Sequence, residues 1–323
     1  MNFFFYNYSI GRFHKYTNMK QHLFPFFFSL TVLNTYGYVL RVITNSLLRN
    51  VFKIQNKDAF QKHKIDYNIP KLKDCKYFDP IIFKNTPEYY KKDFHAYTGG
   101  NLTPLHAKEV TAASYAVMSN HARNKSGYAT SDDIRTRFSY NAKAYFEYKR
   151  PIGKSPIKII DNGCGIGLST KYAESMYENT EVTGVDLSPY FLEVGDHSKF
   201  KPTTIFYHGL AEYSGEDDNS QDMVMCSYLH HELPYEASKD IIKEAFRILD
   251  YGGVLCILDM DPEIKGSNPL LEFIFRRTEP YLNDYKEFMI EIEELAKDIG
   301  FEDVQYDYMP KTRMVFLRKP LKN

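Results

Sequence analysis

The 323-residue chain has no aspartate or glutamate before Asp58. Seven basic residues, Arg12, Lys15, Lys20, Arg41, Arg49, Lys53 and Lys57, share that stretch, so it carries about +7 and the remainder about −7. A mildly acidic body argues against nucleic acid as the main partner. Cysteine is scarce: Cys75, Cys164, Cys226 and Cys256 form no CxxC and no Cys/His metal spacing. They read as reduced thiols, with neither a disulfide framework nor a zinc site. Tryptophan is absent, which fits an AT-rich coding sequence and carries no mechanism. No clean apolar run reaches the roughly 20 residues of a spanning helix. The nearest approach, Leu23–Leu40, is interrupted by Pro25, Asn34 and Gly37.

What is present divides into three zones. Residues 1–57 have the look of a leader. "LFPFFFSLTVL" has the length of a secretory apolar segment with Lys20 on its flank, and the acid-free, Asn-rich stretch after it resembles a transit peptide. Together they predict delivery to an organelle, a secondary plastid in the bipartite form. A cytoplasmic chain whose leader is disordered, or touches a membrane transiently, is the other reading. Residues 58–150 are aromatic and turn-rich, with helical patterns at Thr103–Asn120 and Asp132–Lys149; "RPIGKSP" then marks a boundary. This zone is expected to be a helical cap, with Tyr89, Tyr90, His95 and Tyr97 ahead of the Gly99–Gly100 pair as a closing lid.

From Ile157 onward strands and helices alternate. Strands are predicted at 157–161, 181–186, 203–208, 222–228 and 253–260, and helices at Ser169–Asn179, Pro189–Lys199 and Glu236–Leu249. Alternation of this kind gives a Rossmann-like, doubly wound α/β sheet, mostly parallel and covered on both faces. Segments 301–309 and 312–319, joined by Pro310 and Lys311 alone, predict a C-terminal antiparallel hairpin.

"IIDNGCGIGLST" ends the first strand and enters a helix. Its glycines leave a backbone on which a ligand can lie, close to a helix N-terminus. A dinucleotide fingerprint would need glycine where Leu168 stands, and no phosphate-binding P-loop pattern occurs. The stretch fits D-x-G-x-G-x-G and resembles the first motif of the class I S-adenosylmethionine-dependent methyltransferases, through Asp161, Gly163, Cys164, Gly165 and Gly167. "SQDMVMCSYLHHELP" and "AFRILDYGGVLCILDMD" resemble later motifs of the family, except that Asp250 and Tyr251 stand where a basic residue and proline are usual.

The resemblance covers about residues 155–260 and the hairpin by topology. It is closest to the small-molecule group that includes ubiquinone and menaquinone C-methyltransferases. It implies a seven-stranded sheet, S-adenosylmethionine as cofactor and a small-molecule acceptor, without fixing the acceptor or the oligomeric state. It implies that Asp186 holds the ribose diol; a helix N-cap is the alternative. Leu187 and Ser227 fall in the matching motifs. Leu210 stands where an acid often contacts adenine, so Leu210 and Ala211 are expected to act through backbone and packing, with Glu212 an exposed helix start.

His230, His231 and Glu232 follow the fourth strand beside the expected methyl. They are the general-base candidates, His231 foremost with Glu232 orienting it; ordinary loop polarity is the alternative. Adjacent residues seldom point at one ion, so no metal site is expected. Arg276 and Arg277 could bind an acidic acceptor or be a solvated pair. Two other functions stay open: an NAD(P)-dependent oxidoreductase on a similar sheet, and a binding protein that keeps the cofactor without activity.

Overall fold

The computed structural model describes residues 38–121, 130–149, 155–263 and 278–322. Most of the leader, residues 150–154 of the boundary stretch and the Arg276–Arg277 pair lie outside them. Residues 1–51 and 52–323 are two compact units. Residues 38–51 of the first are helical. The described part of the second opens with α1 (Lys57–Lys62) and α2 (Pro80–Lys84), followed by α3 (Pro104–His121) and α4 (Ser131–Lys149). Lys53 pairs with Glu109 of α3, so the body begins a few residues before position 58. Among the described residues no helix is long and apolar enough to cross a membrane.

The sheet follows in the predicted order. Its strands are β1 (Ile157–Asn162), β2 (Thr180–Asp186), β3 (Thr204–His208), β4 (Gln221–Ser227), β5 (Leu249–Met260), β6 (Glu302–Met309) and β7 (Thr312–Arg318). Their spatial order is β3-β2-β1-β4-β5-β7-β6. The first five are parallel, and β7 pairs antiparallel with both β5 and β6. Central strands are buried on both faces because side chains alternate across the sheet. Val224 and Cys226 of β4 join Leu255 and Ile257 of β5 in one core. Met223 and Met225 join Val254 and Cys256 in the other, under Phe138 and Ala142 of α4.

The helices between strands are α5 (Thr170–Ala173), α6 (Pro189–Asp196), α7 (Tyr235–Ile248) and α8 (Leu282–Ile299). Helix α5 is much shorter than the expected Ser169–Asn179. The carbonyls that would continue it go to side chains: Glu174 O accepts from Lys201 Nζ, Met176 O from Lys143 Nζ and Tyr177 O from Thr180 Oγ1. Helix α8 is absent from the elements expected above. Its stripe of Leu282, Tyr285, Phe288, Met289, Ile292 and Leu295 lies on the first core, and Gly300 ends it in the left-handed region.

Candidate active site

In an open α/β sheet, ligands collect beyond the carboxyl ends of the strands where the winding reverses. Here β1 leads outward to β2 and β3, and the chain then returns to place β4 on the other side of β1. The reversal therefore lies at the ends of β1 and β4. Buried polar atoms without a partner gather on those ends: Asp161 Oδ1, both amide atoms of Asn162, and Ser227 Oγ. Asn162 and Cys226 are register partners, so Ser227 is the next residue along. Such groups rarely stay unsatisfied in native proteins, and a polar ligand seated here would satisfy them. Thr170 Oγ1 donates to the other Asp161 oxygen at 2.6 Å. Burial nevertheless pushes the Asp161 carboxyl up to about 7.

The glycine loop leaves β1 with Gly163, Gly165 and Gly167 all at positive φ. The three positions differ in surroundings. A Cβ on Gly163 would lie 2.6 Å from Leu229 Cδ1, and one on Gly167 2.7 Å from Phe200 Cζ. At Gly165 the nearest atom would be Phe191 Cδ2, at 3.9 Å. The side of Gly165 is thus open, while the other two face protein. Cys164 points into a small core with Leu192 and Phe206, where burial holds its thiol protonated. Only its backbone is available to a ligand.

Asp186 ends β2 and ties the loop down. It accepts from Gly165 N at 2.8 Å, from Ser188 N at 2.7 Å and from Tyr90 Oη at 3.3 Å. Burial raises its carboxyl to about 6 against the pull of those N–H donors. The N-cap of α6 is Ser188, whose Oγ accepts from Phe191 N. The helix-cap alternative for Asp186 therefore falls to Ser188. Leu187 is buried and its carbonyl accepts from His208 Nε2. Ala211 packs into the first core beside half-buried Leu210. Glu212 starts no helix: it sits in a turn and takes a hydrogen bond from Tyr89 Oη of the cap segment.

The turn after β4 separates the two histidines. Tyr228 has a positive φ, and His230–Glu232 form one 3₁₀ turn. His230 is fully buried, stacked on Phe288 of α8 at 4.7 Å, without a hydrogen bond. Burial lowers its imidazole to about 4, so it is a neutral core residue. His231 points the other way. Its Nδ1 lies 2.8 Å from Asp259 Oδ1 at the end of β5. Burial pushes its imidazole down, but the Asp259 carboxylate outweighs this and holds it above the ordinary value. The expected orienting partner, Glu232, lies 4.0 Å from His231 Nε2 instead.

Glu232 turns to the cap. Its Oε1 is 2.9 Å from His95 Nε2, and its Oε2 accepts from Asn101 Nδ2 at 2.6 Å. His95 Nδ1 lies 2.8 Å from Glu279 Oε1, just ahead of α8. Burial opposes a charge on His95, yet the two carboxylates hold its imidazole well above the ordinary value; burial likewise opposes a charge on Glu232, but His95, His231 and Asn101 outweigh it and hold that carboxyl well below the usual range. His95 and Ala96 both have positive φ, a costly conformation for residues with a Cβ. Sequence reasoning missed Asn101, Asp259 and Glu279. The signal for Asp259 was its position at the carboxyl end of a central strand. Nothing local marks Asn101 or Glu279.

Residues 159–253 match the family profile described as "Methyltransferase domain". Among solved structures, the phosphoethanolamine N-methyltransferase 2 of Haemonchus contortus, with phosphomonomethylethanolamine and S-adenosylhomocysteine bound, is 17% identical with a TM-score of 0.49. The match covers 68% of this chain and 60% of that one, so the chain spans under two thirds of that protein. The citrinin polyketide synthase CMeT domain is 20% identical over 60% of this chain and 55% of that one (TM-score 0.48). A SAM-dependent methyltransferase from Aquifex aeolicus is 16% identical over 67% and 98% (TM-score 0.46). No curated protein matches the chain in sequence. The glycine loop and the Asp186 tie both lie on this segment, among the five parallel strands, and residues 159–253 are a methyltransferase domain.

Proposed function

We propose that the protein transfers the methyl group of S-adenosylmethionine to a small-molecule acceptor, releasing S-adenosylhomocysteine. The observation that carries this reading is the set of orphaned polar atoms at the β1 and β4 ends, Asp161 Oδ1, Asn162 and Ser227 Oγ, beside the open flank of Gly165. The cofactor would lie there, with its ribose toward Asp186, its adenine toward Leu187, Leu210 and Ala211, and its amino-acid end along the loop from Asp161 to Gly167. Bound, it supplies an activated methyl; the protein supplies position and electrostatics. Alignment of acceptor and methyl can contribute roughly 7–11 kcal/mol.

On the acceptor side the chain presents His231, Glu232 and His95. An acceptor that must lose a proton would give it up to this cluster, and His231, held by Asp259, is its best-oriented member. Tyr90 and His95 bring the cap segment onto both halves of the site, as a lid that keeps water from the reacting atoms requires. The cap would therefore be part of the enzyme, and the acid-free leader an organellar address separate from it.

The reading is tested by calorimetry with S-adenosylmethionine and with NAD, then by release of S-adenosylhomocysteine against phenols, quinols, enolic compounds and amines. Binding of S-adenosylmethionine with turnover of one acceptor class is expected. Affinity for NAD alone would overturn the assignment, and tight cofactor binding without turnover of any class would make the chain a binding protein. For the leader, a reporter carrying residues 1–57 should concentrate in an organelle; a uniform cytoplasmic signal refutes the address.

A further inference from the structure

The acceptor cluster is built as metal sites are built. One donor atom each from His95, His231 and Glu232 lies within 4.8 Å of the others. His95 Nε2 and His231 Nε2 stand 2.9 and 4.0 Å from Glu232 Oε1. A tetrahedral centre with bonds of about 2.1 Å sets its donors about 3.4 Å apart, and these two distances bracket that spacing. Two histidines and one carboxylate are the ligand set of open zinc and iron(II) centres.

Each donor is also fixed from behind. His231 gives its second nitrogen to Asp259, His95 gives its own to Glu279, and Glu232 is gripped by Asn101 through its other oxygen. Ligating histidines are characteristically oriented by carboxylates in this way. A base needs one such partner; here all three candidate ligands have one. Charge points the same way. Asp259 and Glu279 are buried, Glu232 nearly so, and among the described residues no lysine or arginine hydrogen-bonds to any of the three. Among the described residues, Glu279 Oε2 is buried without a hydrogen-bond partner. Three carboxylates, two of them buried, facing two imidazoles leave a negative balance that a divalent cation would offset.

We propose that His95, His231 and Glu232 form a mononuclear divalent transition-metal site, zinc by preference, which holds an oxygen of the methyl acceptor. The acceptor class is then a hydroxyl or enol compound. Its oxygen, on reaching the ion, would release its proton to solvent near neutral pH as the acceptor enters, before the cap excludes water. The freed electron pair forms the O–C or, from an enolate, the C–C bond as the S–C bond breaks with its pair left on sulfur. In the loaded site His231 is a ligand. The proposal rests on the methyltransferase reading only for what the ion does, and its binding can be measured without turnover.

The full chain, stripped with a chelator, is titrated with Zn(II) by calorimetry, and the Co(II) form is examined by visible absorption. One ion per chain and the bands of a four-coordinate nitrogen–oxygen centre are expected. Both should vanish in His95→Ala and Glu232→Gln. Glu279→Gln, which keeps every ligand, should weaken binding about 10- to 100-fold. His197→Ala, at an exposed histidine, should change nothing. Near-ultraviolet dichroism checks that each variant is folded. S-adenosylmethionine affinity of the stripped protein, measured alongside, tests the methyltransferase reading by itself. No uptake by the folded parent, or equal uptake by folded His95→Ala, overturns the metal site.

Discussion

Alanine at each of the three loop glycines should separate protein-facing positions from the ligand-facing one. All three have positive φ, at +67° for Gly163, +57° for Gly165 and +81° for Gly167. An L-residue in that region costs about 1–2 kcal/mol, so every variant loses that much stability. Gly163→Ala and Gly167→Ala lose more, because the new methyl would stand 2.6 Å from Leu229 Cδ1 or 2.7 Å from Phe200 Cζ. Overpacking of this kind adds about 1–3 kcal/mol. Gly165→Ala meets only Phe191 Cδ2 at 3.9 Å and should carry the backbone term alone. Its methyl instead occupies ligand space. The same 1–3 kcal/mol, transferred to binding, predicts S-adenosylmethionine affinity lower by roughly 5- to 150-fold. Gly165→Val should abolish binding with the sheet intact. Denaturant unfolding gives the stabilities and calorimetry the affinities. Parent-like affinity in Gly165→Ala, or a stability loss as large as that of Gly163→Ala, refutes the reasoning.

Tyr90→Phe should tighten S-adenosylmethionine binding several-fold, since the phenol donates to the Asp186 oxygen that a ribose hydroxyl would take; an unchanged or weaker dissociation constant means that Tyr90 does not compete. Asp161→Asn should flatten a pH dependence of stability: the folded carboxyl holds its proton up to about 7 and the unfolded one releases it near 3.8, so the parent loses stability as pH rises through that window, by about 1.4 kcal/mol per pH unit at most. Chemical denaturation of the ligand-free protein from pH 4 to pH 8 checks it, and identical slopes for parent and variant sink the assignment. A chain starting at Phe52 should keep its cooperative unfolding transition and its cofactor affinity, because Lys53 and Glu109 remain together; loss of the transition would show that the preceding residues belong to the fold.

The sheet was legible because its signals are local. Apolar runs bounded by turn residues mark β1 to β5, and the two-residue link at Pro310–Lys311 forces the hairpin. The glycine loop and its tie to Asp186 were legible for the same reason, since Asp161 to Gly167 and Asp186 each stand at a strand end. Helix α8 and the short α5 were not. The first depends on which face of an acid-rich segment meets the core, and the second on distant Lys201 and Lys143 capturing its carbonyls. His230 and His231 show the limit most clearly. They are adjacent and chemically identical, and only the packing of Phe288 on one side and Asp259 on the other makes one a neutral core residue and the other a site residue.

Two inheritances meet in this active site. The residues proposed to hold the cofactor lie between Asp161 and Ser227, inside the recognisable methyltransferase segment. The cluster proposed to meet the acceptor takes His231 and Glu232 from that segment, but His95 and Asn101 from the cap, Asp259 from beyond the segment and Glu279 from the approach to α8. Under the proposed function, changes in the cap or near α8 would therefore retune what is methylated while the residues proposed to hold the cofactor stay fixed. A chimera that exchanged residues 159–253 for those of another such domain but kept His231 and Glu232 should keep this protein's acceptor preference.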